Sequence, residues 1–443
     1  MRRHALAPLV LTTAFLSFPT AYAAEGTSSA AQCSAPGEQS SVTHYIIASA
    51  AAVRAAPSAS AELMGYAPIA TQLEVACQQD GWLKVRADGM AYLAGWVRAD
   101  LAGPEQPTRA ATLDALRGVP VGNAAALRTQ AERVLAFDPL DETNVETVLQ
   151  VVRSVGDADL TQKLERRLAG LHAPTVARAQ NEDKMLFAVS DNSLTPIATF
   201  ADGKWSGYSW SDGDEETRKA GVRFATRYLA SGHAYHFYTR GGLDGAVLAA
   251  GRQEVGCSSM SAKYKRAGGK PDTAGVAANF PLTERLADPD TALSDAQKRT
   301  ALEVAGAQLK SYGVPAASMA RLLRAPKEGE AGLAMSAIPS AGQTGLVISS
   351  LNFSEDAKGG YSFLFVMEPD KSGKYAITHR FFKKMKSDED YNAYRLLAYA
   401  DVDGDGEPEL VLLYNGYELW RYEIFKRDGK GWKKLVEGGD GGC

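Results

Sequence analysis

The chain has 443 residues, 45% apolar and 23% charged, with 48 Lys plus Arg against 52 Asp plus Glu and a net charge of −4. That length exceeds the roughly 250–300 residues at which one hydrophobic core stops growing, so several domains are expected. The composition excludes a wholly disordered, collagenous or membrane-embedded chain, and the charge balance lacks the basic footprint of a nucleic-acid binder.

Residues 1–23 read as a secretory signal peptide. Met1-Arg2-Arg3-His4 is a short basic start, Ala5 to Phe18 an apolar run, and Ala21-Tyr22-Ala23 a small-residue cleavage site. The apolar run is short for a bilayer-spanning helix, which needs about 20 apolar residues. Cleavage after Ala23 removes two arginines and takes the net charge from −4 to −6. The expectation is a periplasmic or secreted protein without a transmembrane anchor. The 4 cysteines, Cys33, Cys77, Cys257 and Cys443, all lie beyond the cleavage site. In an exported chain an even number suggests disulfides, and four allow three pairings. Pairing within domains, Cys33 with Cys77 and Cys257 with Cys443, is the expectation; a free thiol at Cys257 is the alternative.

Residues 24–42 are Ser/Ala/Gly-rich and aperiodic, a linker. From 43 to 103 short strand-like pieces alternate with turn signals: Tyr45-Ile46-Ile47, Leu73 to Ala76, Trp82 to Val85 and Gly95-Trp96-Val97. The order Ala52-Val53-Arg54-Ala55-Ala56-Pro57-Ser58, then Gly81-Trp82-Leu83-Lys84-Val85, then Gly95-Trp96-Val97 resembles a bacterial SH3 domain (SH3b). The resemblance implies a small β-barrel, with Trp82 and Trp96 expected in its core. It also implies an aromatic groove for peptidoglycan peptide or an envelope protein, to which Tyr45, Tyr66 and Tyr92 are assigned. Tyrosine suits such a groove because it joins a rigid apolar body to a polar tip.

Residues 111–172 change period. Leu127, Ala131 and Val134, then Val145, Val148, Val152 and Val155, then Leu160, Leu164, Leu168 and Leu171 recur at helical spacing. Ala131 to Pro139 is similar to the second half of a tetratricopeptide repeat. Some 60 residues hold too few units for a free-standing solenoid, so a helical spacer packed on a neighbouring domain is expected.

Residues 175–443 read as a β-rich domain with one helix pair. Met185 to Val189, Ile197 to Phe200 and Ala234 to Tyr238 are strand-like, and Ser258 to Leu293 reads as a long loop. Ser294 caps a helix with Gln297 completing a capping box, and Leu302, Ala305, Leu309 and Tyr312 form its stripe. Gly313 ends that helix and Pro315 starts a shorter one. Strands are expected at 346–351, 361–367, 375–382, 395–400 and 409–414, followed by a hairpin of 419–426 with 432–435. The fold class is therefore multidomain and mainly β: an SH3-like barrel, a helical spacer and a β-rich C-terminal domain.

The sharpest motif is Asp401-Val402-Asp403-Gly404-Asp405-Gly406-Glu407-Pro408-Glu409. Carboxylates at positions 1, 3 and 5 converge on one side of a tight loop, Gly406 permits the turn, the Glu407 carbonyl supplies a further oxygen, and Glu409 closes the set. Ca²⁺ takes six to eight such hard oxygens. The EF-hand position 12 holds Leu412, and Glu409 leads instead into an apolar strand. That combination resembles the calcium loops of FG-GAP and VCBS-type β-repeats, implying structural Ca²⁺ at Asp401, Asp403, Asp405, Glu407 and Glu409. An acidic turn between two strands is the alternative.

No His-Glu-x-x-His, Gly-x-Ser-x-Gly or P-loop pattern occurs, nor a Cys in the setting of an NlpC/P60-like peptidase. The expected function is an exported, non-catalytic cell-envelope binding protein. The alternative is a cell-wall or polysaccharide hydrolase that uses the SH3b domain for targeting.

Overall fold

The computed structural model describes Cys33 and residues 41–442, except 88–92, 173, 177–182, 191–192, 211–213, 240–241, 256–258, 268–273, 283–292, 325–331, 341–342, 354–358 and 430. The expected signal peptide, most of the expected linker, Tyr92, Cys257 and Cys443 lie outside the described residues.

The chain is mainly β, as its composition of short alternating segments predicts. Strands β1 (Val42–Ile46), β2 (Ala50–Arg54), β3 (Leu63–Pro68), β4 (Gln72–Gln79), β5 (Trp82–Ala87), β6 (Ala94–Arg98) and β7 (Ala102–Gly103) form one antiparallel sheet in the order β3-β2-β6-β5-β4-β1-β7. Its core is aliphatic: Ile46, Val53, Leu73, Val75, Leu83, Val85, Leu93 and Val97 are all buried. Here the expectation for the tryptophans is corrected. Successive strand residues point to opposite faces, so inward Leu83 and Val85 turn Trp82 outward, and inward Val97 does the same to Trp96. Neither indole joins the core. Cys77 faces inward on β4 and is bridged to Cys33, which also donates its amide to the Gln78 carbonyl at 3.2 Å.

Four helices follow: α1 (Arg109–Arg117), α2 (Ala124–Phe137), α3 (Glu142–Val155) and α4 (Ala158–His172). Thr108, Asn123 and Asp141 cap the first three, each accepting from a backbone amide of the first turn. Their apolar stripes meet in one core that also takes in Leu248, with Ala234, Ala250 and Ala267 packed on it. The helices thus rest on the β structure that follows.

That structure is a closed six-stranded barrel. Strands β8 (Lys184–Ser190), β9 (Ser193–Ala201), β10 (Lys204–Gly207), β11 (Ala234–Thr239), β12 (Gly242–Val255), β13 (Ser259–Ala267) and β14 (Gly275–Ala278) are all antiparallel. β8 pairs with both β9 and β14, closing the ring β8-β9-β13-β12-β11-β14, and β10 hangs on β9. Helix α5 (Glu215–Phe224), capped by Asp214, runs into a π-turn at Ala225–Leu229, and Tyr228 and Leu229 pack with Phe187, Tyr235 and Phe237 from the strands. Two expectations fall here. Ser258 to Leu293 is not one long loop, because β13 and β14 complete the barrel, and the helix pair is not alone, because α5 precedes it.

The remaining chain stacks in layers. Helices α6 (Asp295–Ser311) and α7 (Ala316–Leu322) cover one face of the meander β15 (Ala334–Ser340), β16 (Gln343–Phe353), β17 (Gly360–Pro369), β18 (Tyr375–Met385) through Ala305, Leu309, Leu322, Ile348 and Phe365. The other face, with Ile338, Val347, Leu364 and Val366, meets Leu396, Leu410, Leu412 and Phe425 of a second meander. That meander is β19 (Asn392–Ala400), β20 (Glu409–Gly416), β21 (Leu419–Asp428) and β22 (Gly431–Gly442). Its far face packs Ala398, Val411, Leu413, Tyr422 and Ile424 on Leu186, Ala188 and Ile197 of the barrel. The approach is close enough to need glycine: a Cβ on Gly438 would lie 2.2 Å from the Ile197 carbonyl.

Candidate functional site

The acidic motif forms the hairpin loop between β19 and β20, whose last ladder pair is Ala400 with Glu409. Asp401 is buried and its carboxylate organises the turn, accepting from the amides of Gly404 at 2.6 Å and Gly406 at 2.8 Å. Both glycines have left-handed φ, +82° and +89°, a backbone region that disfavours any residue with a Cβ. Asp403 accepts from the Asp405 amide at 3.2 Å, and Asp405 from the Glu407 amide at 2.9 Å.

These turns bring oxygens of Asp401, Asp403 and Asp405 within 4.8 Å of one another, and the three can hold a metal ion. Hard oxygens at this spacing suit a divalent cation of the Ca²⁺ or Mg²⁺ kind. Neither the Glu407 nor the Glu409 carboxylate belongs to that converging set. Glu407 is exposed. Glu409 is fully buried at the start of β20: its Oε2 accepts the Val402 amide at 2.8 Å, while Oε1 has no hydrogen-bond partner among the described residues. Burial pushes this carboxyl up to about 8, helped by the charges of Asp403 and Asp401 and opposed by the Val402 amide.

The motif itself does not announce the cation that faces it. Lys426 on β21 places its Nζ 2.5 Å from Asp403 and 2.6 Å from Asp405. Those two hydrogen bonds raise the Lys426 pKa and hold the Asp405 carboxyl below its usual range. Lys426 lies 23 residues from Asp403 along the chain and reaches it only because the meander lays β21 beside β20.

The second concavity is a cleft of about 1140 Å³ where the N-terminal sheet, the α2–α3 turn and the closed barrel meet. Tyr66 of β3, 55% exposed, stands on one wall. Phe137 and Pro139 line a second wall, and Leu229, Arg252 and Lys263 a third. Two ion pairs pin the walls. Lys219 of α5 reaches Glu62 of the N-terminal region at 2.8 Å, and Lys265 of β13 bonds the Leu140 carbonyl at 2.8 Å and Glu142 at 3.1 Å. Tyr45, half-buried on β1, is not among the cleft residues, and Tyr92 lies outside the described residues. The cleft was invisible to motif reading because its walls come from three separate stretches of chain.

No family model matches the chain, and no curated protein matches it.

Proposed function

We propose that this is an exported, non-catalytic binding protein of the cell envelope, whose SH3b-like N-terminal barrel and adjoining cleft take a peptide, either a cell-wall stem peptide or a segment of an envelope protein. The observation that supports this most is the exposed Tyr66 on the wall of the large cleft between that barrel and the rest of the molecule. A concave, largely apolar site edged by a few polar groups is the usual form of a ligand pocket, and an aromatic anchor supplies much of the affinity in such sites. The loop at 401–409 would take Ca²⁺ as a structural brace. Asp401, Asp403 and Asp405 would hold it, tying the start of β20 into the layered sheets.

Co-sedimentation of the mature protein with purified sacculi tests the reading, beside the variant Tyr66→Ala. We expect retention by sacculi, weakened at least about tenfold in the variant, since a buried aromatic anchor contributes on the order of 2 kcal/mol. Equal retention of both proteins would remove the cleft from the reading. Absence of binding to sacculi and to solubilised envelope proteins would overturn the reading itself.

A further inference from the structure

The acidic loop already holds a cation, and it belongs to the protein. Nζ of Lys426 lies 2.5 Å from Asp403 and 2.6 Å from Asp405. Ca²⁺ sits about 2.3–2.6 Å from its ligand oxygens, so the ammonium occupies the shell that a metal shared by those two carboxylates would need. The two cannot be accommodated together.

Asp401 and Glu409 at the loop make no hydrogen bond to Lys426, which pairs with Asp403 and Asp405. Asp401 is held only by backbone amides in the bonds given above. Glu409, fully buried, keeps Oε1 without a partner among the described residues. Its other oxygen is fixed by the amide of Val402, between the first two aspartates, which sets the carboxylate beside the loop. A buried carboxyl oxygen without a hydrogen-bond partner is costly, and a hard cation that takes the place of the carboxyl proton relieves it.

We propose that the loop is a cation-exchange site: a divalent metal enters on Asp401, Asp403 and Asp405, displaces the ammonium of Lys426, and draws in Oε1 of the neighbouring buried Glu409, which stands outside the converging set in this structure, as a fourth oxygen. The lysine stem is flexible and its head strongly hydrated, so it can withdraw to water when a metal takes its oxygens. Until then the tethered ammonium keeps the carboxylates from repelling one another open, and the hairpin folds without metal. The competition weakens metal binding and sets the loop to respond to high rather than trace calcium. This inference rests on the calcium reading above.

The test is a calorimetric Ca²⁺ titration of the chelator-treated full chain, beside Lys426→Met and Glu409→Gln. Amine labelling of Lys426, read by mass spectrometry in chelator and in millimolar Ca²⁺, is measured in parallel on the unaltered protein. We expect Lys426→Met to bind Ca²⁺ at least about tenfold more tightly, because ligand charge sets the affinity of such sites. Glu409→Gln should bind at least about tenfold more weakly on the same principle. Labelling of Lys426 should rise severalfold on adding Ca²⁺. Equal affinities in the unaltered protein and Lys426→Met, with unchanged labelling, would overturn the exchange and leave calcium binding standing. Unaltered affinity in Glu409→Gln would remove that residue from the ligand set. Ca²⁺ bound by neither the unaltered protein nor Lys426→Met would overturn the calcium reading, and the exchange with it. The labelling arm needs no variant, so a misfolded Lys426→Met would not shield the proposal.

Discussion

The N-terminal sheet and the C-terminal meanders are both antiparallel, yet they bury their strands differently. In β4 and β5 buried and more exposed residues alternate strictly along most of each strand. In β17 and β20 runs of consecutive residues are buried. The first pattern belongs to a sheet wrapped round one core with its outer face toward water. The second belongs to sheets covered on both sides, here by helices, by one another and by the closed barrel. The same strand chemistry therefore gives a tolerant surface on the N-terminal sheet and little in the central strands β17 and β20 of the layered end.

Substitution should expose that contrast most strongly in the core. Phe365 is fully buried between β16, β18 and the helix pair, and Phe365→Ala should cost about 3–5 kcal/mol. Trp96, turned outward on β6, should cost about 1 kcal/mol or less as Ala, in line with surface sites. Urea midpoints of the two variants check this, and comparable losses would mean that the outer face of the N-terminal sheet is covered.

Breaking the Cys33–Cys77 bridge is expected to come next. Its 44-residue separation closes a sizeable loop of the unfolded chain. Replacing both cysteines by serine should remove about 2–4 kcal/mol. The loss should fall on the N-terminal sheet, seen as earlier proteolysis of residues 41–103 with the C-terminal layers still protected. Simultaneous loss of both regions would show that they unfold as one unit.

The smallest expected effect is a pH dependence confined to the layered end. His379 of β18 packs on the Phe425 ring at 4.7 Å, and burial holds its pKa below the ordinary 6.5, against a weaker upward pull from Glu423. The unfolded chain therefore takes up this proton first. The stabilisation is complete above about pH 6.5 and declines as the pH falls through the lower folded value. His379→Leu should flatten that part of the stability profile between pH 7 and pH 5. An unchanged slope would assign the acid sensitivity to other groups.

Much of this architecture can be read from local signals. Ser294 and Gln297 form the capping box that starts α6, and both side-chain-to-backbone bonds are present. The apolar spacing of residues 111–172 marks the helices, and the five strands from 346 to 414 match β16 to β20. The spacing of Asp401, Asp403 and Asp405 foretells their convergence, because an i, i+2, i+4 carboxylate set with glycines at the turn needs only its own backbone to close. The long polar stretch that holds β13 and β14 resisted reading, since those strands owe their state to ladders with β9, β12, β11 and β8 rather than to their own composition.

By itself, then, the sequence determined the mainly β class, the helical segment, the Cys33–Cys77 pairing as an expectation, and the aspartate triad. Each follows from residues close together in the chain or from period alone. Only the tertiary structure decided which way Trp82 and Trp96 face, that the meanders stack into layers, that Tyr66 borders a cleft built from three regions, and that Lys426 sits on the acidic loop. These depend on register and on contacts between distant segments. A one-residue shift in a strand would reverse its faces without changing its composition.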